Sequence, residues 1–191
     1  MQGQSPYSAS KIGADKVIES YFKSFELPTV TLRPFNTYGP RQSARAVIPS
    51  MIVQVLDGKK VINVGSMTPT RDFNYIDDIC DAFYRALISE NINGKIINIG
   101  SNFEISIGDT ADMIKDIMGV DVEVITNETR TRPAASEVNR LFGDNSKMMK
   151  LTSWKPKYSG MNGFRRGLSK TIEWFTDPRN LSHYKPGIYL I

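Results

Sequence analysis

The sequence predicts an α/β fold, and three observations carry that expectation. Apolar residues at helical spacing alternate with short runs rich in β-branched residues. Two of those runs, TVTLRPF at 29–35 and KIINI at 95–99, read as strands, the second of the buried type. Turn residues such as Asp57-Gly58 and Gly119 punctuate the alternation. Such a pattern implies a parallel or mixed sheet with helices on its faces.

The elements follow in order. Pro6–Phe25 reads as a helix, with Ser5 as N-cap and Pro6 at its first position. Residues 29–35 form a strand, and 46–56 a second helix stopped by Asp57-Gly58. Residues 60–64 and 72–76 are extended. Asp77 then caps a third helix whose apolar stripe is Ile79, Ala82, Phe83, Ala86 and Leu87, with Cys80 read as core. Residues 95–99 are a strand, Ile107–Met118 a helix closed by Gly119, and 120–125 another strand. Phe164, Leu168, Ile172 and Phe175 mark a last helix. Gly160, Gly163 and Gly167 superficially resemble a dinucleotide fingerprint, but they follow WKPKYS rather than an apolar strand, so they read as the start of that helix. The chain opens on a helix with no strand before it. A doubly wound dinucleotide-binding domain needs about six strands. Residues 29–35 and 95–99 are the two candidates here, so the sheet is expected to lack its N-terminal βα units.

Composition narrows the class. The chain has 191 residues, 40% hydrophobic and 23% charged, as in a protein that buries a core. No apolar run approaches the roughly 20 residues of a membrane-spanning helix. The first residues carry no secretory signal pattern, and the single cysteine excludes an internal disulfide framework. These features point to the cytoplasm and away from membranes. One histidine, His183, argues against a His-rich metal site. The net charge of +4 includes one adjacent arginine pair, Arg165-Arg166, without a nucleic-acid-reading motif, so nucleic acid is not an expected partner. A phosphate-bearing small molecule would use the same charges.

Tyr7 and Lys11 stand at i and i+4, on one helix face. A phenol of reference pKa about 10 is a poor base at neutral pH, and a neighbouring ammonium favours its phenolate. Ser8, Ala9 and Ser10 are small and would let a ligand approach. After the strand at 29–35 come Asn36-Thr37-Tyr38-Gly39-Pro40-Arg41, expected as a polar turn at the strand's carboxyl end, where open α/β sheets bind ligands. Asn36, Arg41 and Arg45 could meet a phosphate there; the same residues also make a good turn without any ligand.

YSASK, RPFNTYGPR, PTRDFNYIDD and NIGS occur in that order, and together they resemble the extended short-chain dehydrogenase/reductase family of NAD-dependent nucleotide-sugar epimerases, 4,6-dehydratases and decarboxylases. The string RPFNTYGPRQSARAVIPS is most similar to 4,6-dehydratases of N-acetylhexosamine nucleotides in the legionaminic acid branch. The resemblance implies a partial Rossmann-like sheet, residues 1–35 and 77–100, plus a small α+β substrate-binding region, residues 36–76 and 101–191. It implies NAD as cofactor, a UDP- or GDP-linked hexosamine as substrate, and a homodimer pairing through the tyrosine helix. Tyr7 then resembles the catalytic acid/base, and Lys11 the residue that binds the nicotinamide ribose. Phe35 falls at the nicotinamide end, Asn36 at the substrate diphosphate, and Val47 and Ile48 beside the nucleotide base. Arg71 resembles the diphosphate arginine, whose planar guanidinium can grip two phosphate oxygens; a surface ion pair with Asp72 or Asp77 is the competing role. Asn98 falls at a nucleotide contact. Arg132 resembles a second diphosphate arginine, with Arg140 its rival. The acidic pair that separates dehydration from epimerisation belongs upstream of the tyrosine in this family.

Overall fold

The computed structural model describes residues 3, 5–130 and 138–184. Helix α1 spans Pro6–Phe25. Ser5 is extended and its hydroxyl accepts from the Ser8 amide at 3.2 Å, while the Ser8 hydroxyl accepts from the Ser5 amide at 2.9 Å. This reciprocal box satisfies two orphan N–H groups where the sequence placed the cap. None of the residues of α1 is buried.

The strand expected at 29–35 forms over Thr31–Pro34, and a second strand follows it after Phe35. β1 (Thr31–Pro34) pairs in parallel with β6 (Ile96–Ile99), Thr31 opposite Ile96 and Pro34 opposite Ile99. After Phe35 the chain changes partner, and β2 (Asn36–Tyr38) pairs in parallel with β5 (Phe73–Tyr75). The polar turn expected at 36–41 is therefore corrected: its first half is a strand, and Tyr38 is core at 1% exposed. Burial pushes the Tyr38 phenol far above the usual tyrosine range.

Helix α2 (Val47–Leu56) buries Ile48, Met51, Ile52 and Val53, and ends at Asp57-Gly58 as the turn residues predict. β3 (Val61–Val64) pairs in parallel with β8 (Glu123–Thr126). The short β4 (Thr70–Arg71) is the middle of three, antiparallel to β7 (Ile105–Ser106) and parallel to β9 (Arg140–Leu141). Helix α3 (Ile76–Ile88) has Tyr75 as its N-cap, so Asp77 is not the cap. Asp77 and Asp78 lie in the first turn, where carboxylates complement the helix dipole. Its buried seam is also narrower than the apolar stripe: Ile79, Ala82 and Ala86 are covered, whereas Phe83 is 48% and Leu87 82% exposed. Cys80 is exposed too, contrary to the core reading, because it lies off that seam. Helix α4 (Ile107–Met118) is capped by Ser106 and closed by Gly119 in the left-handed conformation. α5 (Ser146–Thr152), α6 (Gly160–Thr176) and α7 (Pro178–Leu181) complete the described chain. No described helix is long and apolar enough to cross a membrane.

Two apolar clusters result. One joins β6, α3 and the Met148/Trp154 segment; the Trp154 indole donates to the Asp78 carbonyl at 3.0 Å. The Asp78 carboxylate accepts from the Lys157 and Tyr158 amides at 2.9 and 2.8 Å, fastening that segment to α3. The other cluster joins α2, α4 and α6 around Tyr38, Phe73 and Phe164. The rings of Phe73 and Phe164 stack at 5.7 Å, and Tyr38 meets Phe164 edge-on at 5.3 Å. The glycines of α6 serve this packing. Gly163 lies against the Tyr158 backbone, and a Cβ at Gly167 would overlap the Tyr38 hydroxyl.

Candidate functional site

A cavity of about 460 Å³ opens between β2, the start of α2, the end of β3 and the β4–β9 pair. Asn36, Val47, Ile48 and Arg71, four of the residues expected to meet a substrate, line it together. Each is placed by a separate element. β2 presents Asn36 beside β5, the first turn of α2 presents Val47 and Ile48, and the central strand β4 presents Arg71. The Arg71 guanidinium donates to its neighbour Thr70 O at 2.9 Å and across to Val138 O at 2.6 Å, which fixes the direction of its fork. Phe73, Ile107 and Leu141 contribute apolar lining.

Polar residues complete the lining, and the sequence motifs did not mark Arg130 among them. Arg130, at the end of a single 3-10 turn (Glu128–Arg130), donates to the Ser50 hydroxyl at 3.0 Å and to Asn63 O at 2.9 Å. Gln54 holds Asn63 from behind, accepting from its amide at 2.8 Å and donating to its carbonyl at 3.1 Å. The Arg130 carbonyl crowds Gly65, where a Cβ would come within 2.8 Å of it, so a side chain is excluded there. The signal that could have flagged Arg130 is the Asx turn before it: the Asn127 side chain accepts from both the amide and hydroxyl of Thr129.

The partners of Asp72 and Arg140 separate their competing roles. Asp72 is fully buried rather than a surface acid. Its carboxylate accepts from the Ser101 amide and hydroxyl at 2.9 and 2.7 Å, from Asn74 at 2.9 Å and from the Gly143 amide at 3.0 Å. It thereby ties the ends of β6 and β9 to β4, next to Arg71. Arg140, the rival to Arg132, is committed elsewhere: it grips both oxygens of Glu104, to which Thr70 also donates. Those contacts hold the Glu104 carboxyl below its usual range, Arg140 contributing most. Leu141, its neighbour, faces the cavity instead. Arg132 lies outside the described residues.

Tyr7 and Lys11 share one exposed face of α1, with the Lys11 ammonium 5.4 Å from the Tyr7 ring centroid. Phe35 stands at the switch between β1 and β2, where its amide donates to Ile99 O at 2.9 Å. Asn98 pairs with Arg33 across β1 and β6, and is not a cavity-wall residue. Five predicted residues, Arg45 among them, thus converge on one cavity, while Tyr7, Lys11, Phe35 and Asn98 belong to the β1–β6 unit and its helix.

The family model described as GDP-mannose 4,6 dehydratase matches residues 1–167. A trifunctional UDP-glucose 4,6-dehydratase/3,5-epimerase/reductase of Arabidopsis thaliana is 33% identical over 172 residues, 90% of this chain and 25% of that protein. The crystal structure of dTDP-glucose 4,6-dehydratase from Bacillus anthracis, solved in complex with NAD, superposes with a TM-score of 0.78 at 31% identity, covering 92% of this chain and 53% of that one. UDP-glucuronic acid 4-epimerase from Bacillus cereus, solved with UDP-glucuronic acid and NAD, gives 0.80 at 32% identity, over 90% and 52%. The chain therefore spans a quarter of the plant protein and about half of each bacterial one. On this match the chain belongs to the NAD-dependent epimerase/dehydratase family of nucleotide-sugar enzymes within the short-chain dehydrogenases/reductases.

Proposed function

We propose that this chain carries the acid/base pair and the substrate site of an NAD-dependent nucleotide-sugar 4,6-dehydratase, which oxidises C4 and eliminates water across C5 and C6. The observation that carries the reading is the convergence of Asn36, Val47, Ile48 and Arg71 on one cavity. Arg71 and Asn36 hold the substrate diphosphate, and Val47 and Ile48 lie against the base. Arg132 adds a second diphosphate contact; Asn98, off the wall of this cavity, is kept as a nucleotide contact on the family resemblance alone. Tyr7 takes and returns the proton of the sugar hydroxyl at its phenolic oxygen. Tyr7, Lys11 and Phe35 fit the nicotinamide end of NAD, because an exposed phenol and ammonium on one helix face leave room for a ribose beside them. NAD, when bound, supplies the hydride acceptor; Lys11 binds its ribose hydroxyls. Residues 1–35 and 77–100 form the cofactor side, and 36–76 with 101–191 the substrate side.

The motif string from Arg33 supports a UDP- or GDP-linked hexosamine of the legionaminic acid type, the family resemblance a homodimeric whole enzyme, and the single cysteine a cytoplasmic setting. The second reading is a 4-epimerase, favoured by the superposition on the Bacillus cereus enzyme; a family decarboxylase, or a fragment that only binds nucleotide diphosphates, shares the same cavity residues. Titration calorimetry with UDP and GDP tests the site. Arg71→Ala should weaken binding about 10- to 100-fold, since a hydrogen bond to a charged group contributes about 1.5–3 kcal/mol. Unchanged affinity in that variant, or no binding of either diphosphate, overturns the assignment. NAD itself should bind this chain weakly, because no glycine-rich phosphate cradle is present in its sequence.

A further inference from the structure

We infer that the Asp15–Arg33 ion pair is the strut that sets the height and rotation of α1 on the sheet, and so positions Tyr7 and Lys11 over the end of β1. This rests on the catalytic role proposed for that pair. Asp15 lies at i+4 from Lys11 and i+8 from Tyr7, so the three share one stripe of the helix. Arg33, in the middle of β1, donates through Nε to Asp15 Oδ2 at 2.8 Å, and its NH2 donates to the same oxygen. Two charge-assisted bonds from a planar group define an angle as well as a distance. Both side chains are mostly covered, Arg33 30% and Asp15 18% exposed.

The rest of α1 offers little competing anchorage. None of its residues is buried, Ile12, Glu19 and Phe22 are only half-covered, and Phe22 closes over Gly94 near the far end of the helix. Gly94 sits level with Thr29, whose carbonyl accepts from its amide, so α1 runs antiparallel to β1. Distance along each element then places the chemistry. From Asp15 to Tyr7 the helix rises about 12 Å at 1.5 Å per residue. From Arg33 to Phe35 the strand advances only about 7 Å at 3.3 Å per residue. Tyr7 therefore overhangs Phe35 by about 5 Å, the span of a sugar or nicotinamide ring, and any slip at the strut moves the phenol by the same amount. A hydrophobic face would tolerate sliding; a two-bond ion pair does not. Asp15 and Arg33 are positioning residues that act through Tyr7 and Lys11.

The test uses the single native cysteine. Cys80 is exposed on α3. The α3 seam packs on Ile97 and Ile99, on the face of β6 opposite to Asn98 and its pair-mate Arg33. Nitroxide labels on Cys80 and on Ala14→Cys therefore report the placement of α1 across the sheet by pulsed dipolar spectroscopy. The parent should give one narrow distance peak. Asp15→Asn should broaden and displace it, Arg33→Lys should broaden it less, and Asp15→Glu should keep a single narrow peak. Calorimetric UDP or GDP affinity should not change in Asp15→Asn, because the cavity is built from other elements; the strut and the substrate site therefore fail separately. A peak in Asp15→Asn as narrow as in the parent, or one in Asp15→Glu as broad as in Asp15→Asn, overturns the inference. Near-ultraviolet circular dichroism confirms that the aromatic core is intact in each variant, and if Asp15→Asn does not fold, the Arg33→Lys and Asp15→Glu pair decides.

Discussion

Gly167→Ala pits two effects of similar size against each other. Gly167 lies inside α6, where replacing glycine by alanine gains about 1 kcal/mol of helix stability. At this site the added methyl would overlap the Tyr38 hydroxyl and lie 2.9 Å from its Cζ and 3.1 Å from Tyr75 Cδ2. Tyr38 is 1% exposed and wedged among Phe73, Tyr75 and Phe164, so it has nowhere to swing. Forcing an extra methyl into such a core costs about 1–3 kcal/mol, and a full overlap belongs at the upper end. The net should be a loss of about 1–2 kcal/mol, or a Tm lower by roughly 2–8 °C for a chain of this length. Tyr38→Phe removes the overlapped atom at the expense of one long hydrogen bond, 3.3 Å to Phe164 O. In that background Gly167→Ala should be milder by at least about 1 kcal/mol, a coupling that a double-mutant cycle in urea measures directly. If Gly167→Ala raises stability, or costs the same in both backgrounds, close packing against the Tyr38 hydroxyl is not why glycine stands there.

Trp154→Ala should cost about 3–5 kcal/mol in urea unfolding, because the largest fully buried side chain leaves a cavity between α3 and β6; a loss under 1 kcal/mol would mean that the α3–β6 cluster adds nothing to cooperative stability. Asp78→Asn should change the slope of stability against pH. Burial raises the Asp78 pKa, against the lowering effect of the Lys157 and Tyr158 amides, so its protonation contributes stability at low pH that is lost as pH rises through the folded value. Glu104, Asp144 and Asp177 are lowered, chiefly by side-chain hydrogen bonds from Arg140, Ser146 and Arg179, so their contribution is present at neutral pH and lost as pH falls. Removing Asp78 removes the opposing group, and the variant should lose stability more steeply on acidification than the parent; an unchanged slope below the neutral range refutes this.

Local patterns carried much of the fold. The Ser5 cap, the Asp57-Gly58 stop and the Gly119 closure were legible because capping and left-handed turns depend on a few adjacent residues. Pairing was less so. TVTLRPF reads as one strand and forms β1, yet beyond Phe35 the chain continues as β2 where a turn was expected, and its partner changes from β6 to β5, a choice made by distant segments. β7 and β9 are two-residue strands that exist because β4 lies between them, and no window that short has a period. Phe83 and Leu87 carry the helical spacing of a core face but lie beside the seam that β6 covers. In the cavity, motif order led to Asn36, Val47, Ile48 and Arg71, whereas Arg130 arrives through a 3-10 turn whose placement is tertiary.

The switch at Phe35 connects the two halves of the proposed reaction. Upstream of it, β1 carries Arg33 and, through Asp15, the helix of Tyr7 and Lys11. Downstream, β2 carries Asn36 into the cavity wall beside Arg71. Phe35 is held from both sides, by its amide on Ile99 and by Gly143, where a Cβ would come within 3.0 Å of the ring. Gly143 in turn donates to buried Asp72, the neighbour of Arg71. On the proposed roles, a substrate anchored by its diphosphate would be registered to the helix of Tyr7 and Lys11 through these backbone and buried carboxylate contacts rather than through the substrate itself. Binding and chemistry should then separate on mutation: changes at Arg71 act on affinity, and changes at the Asp15–Arg33 strut act on the placement of the phenol.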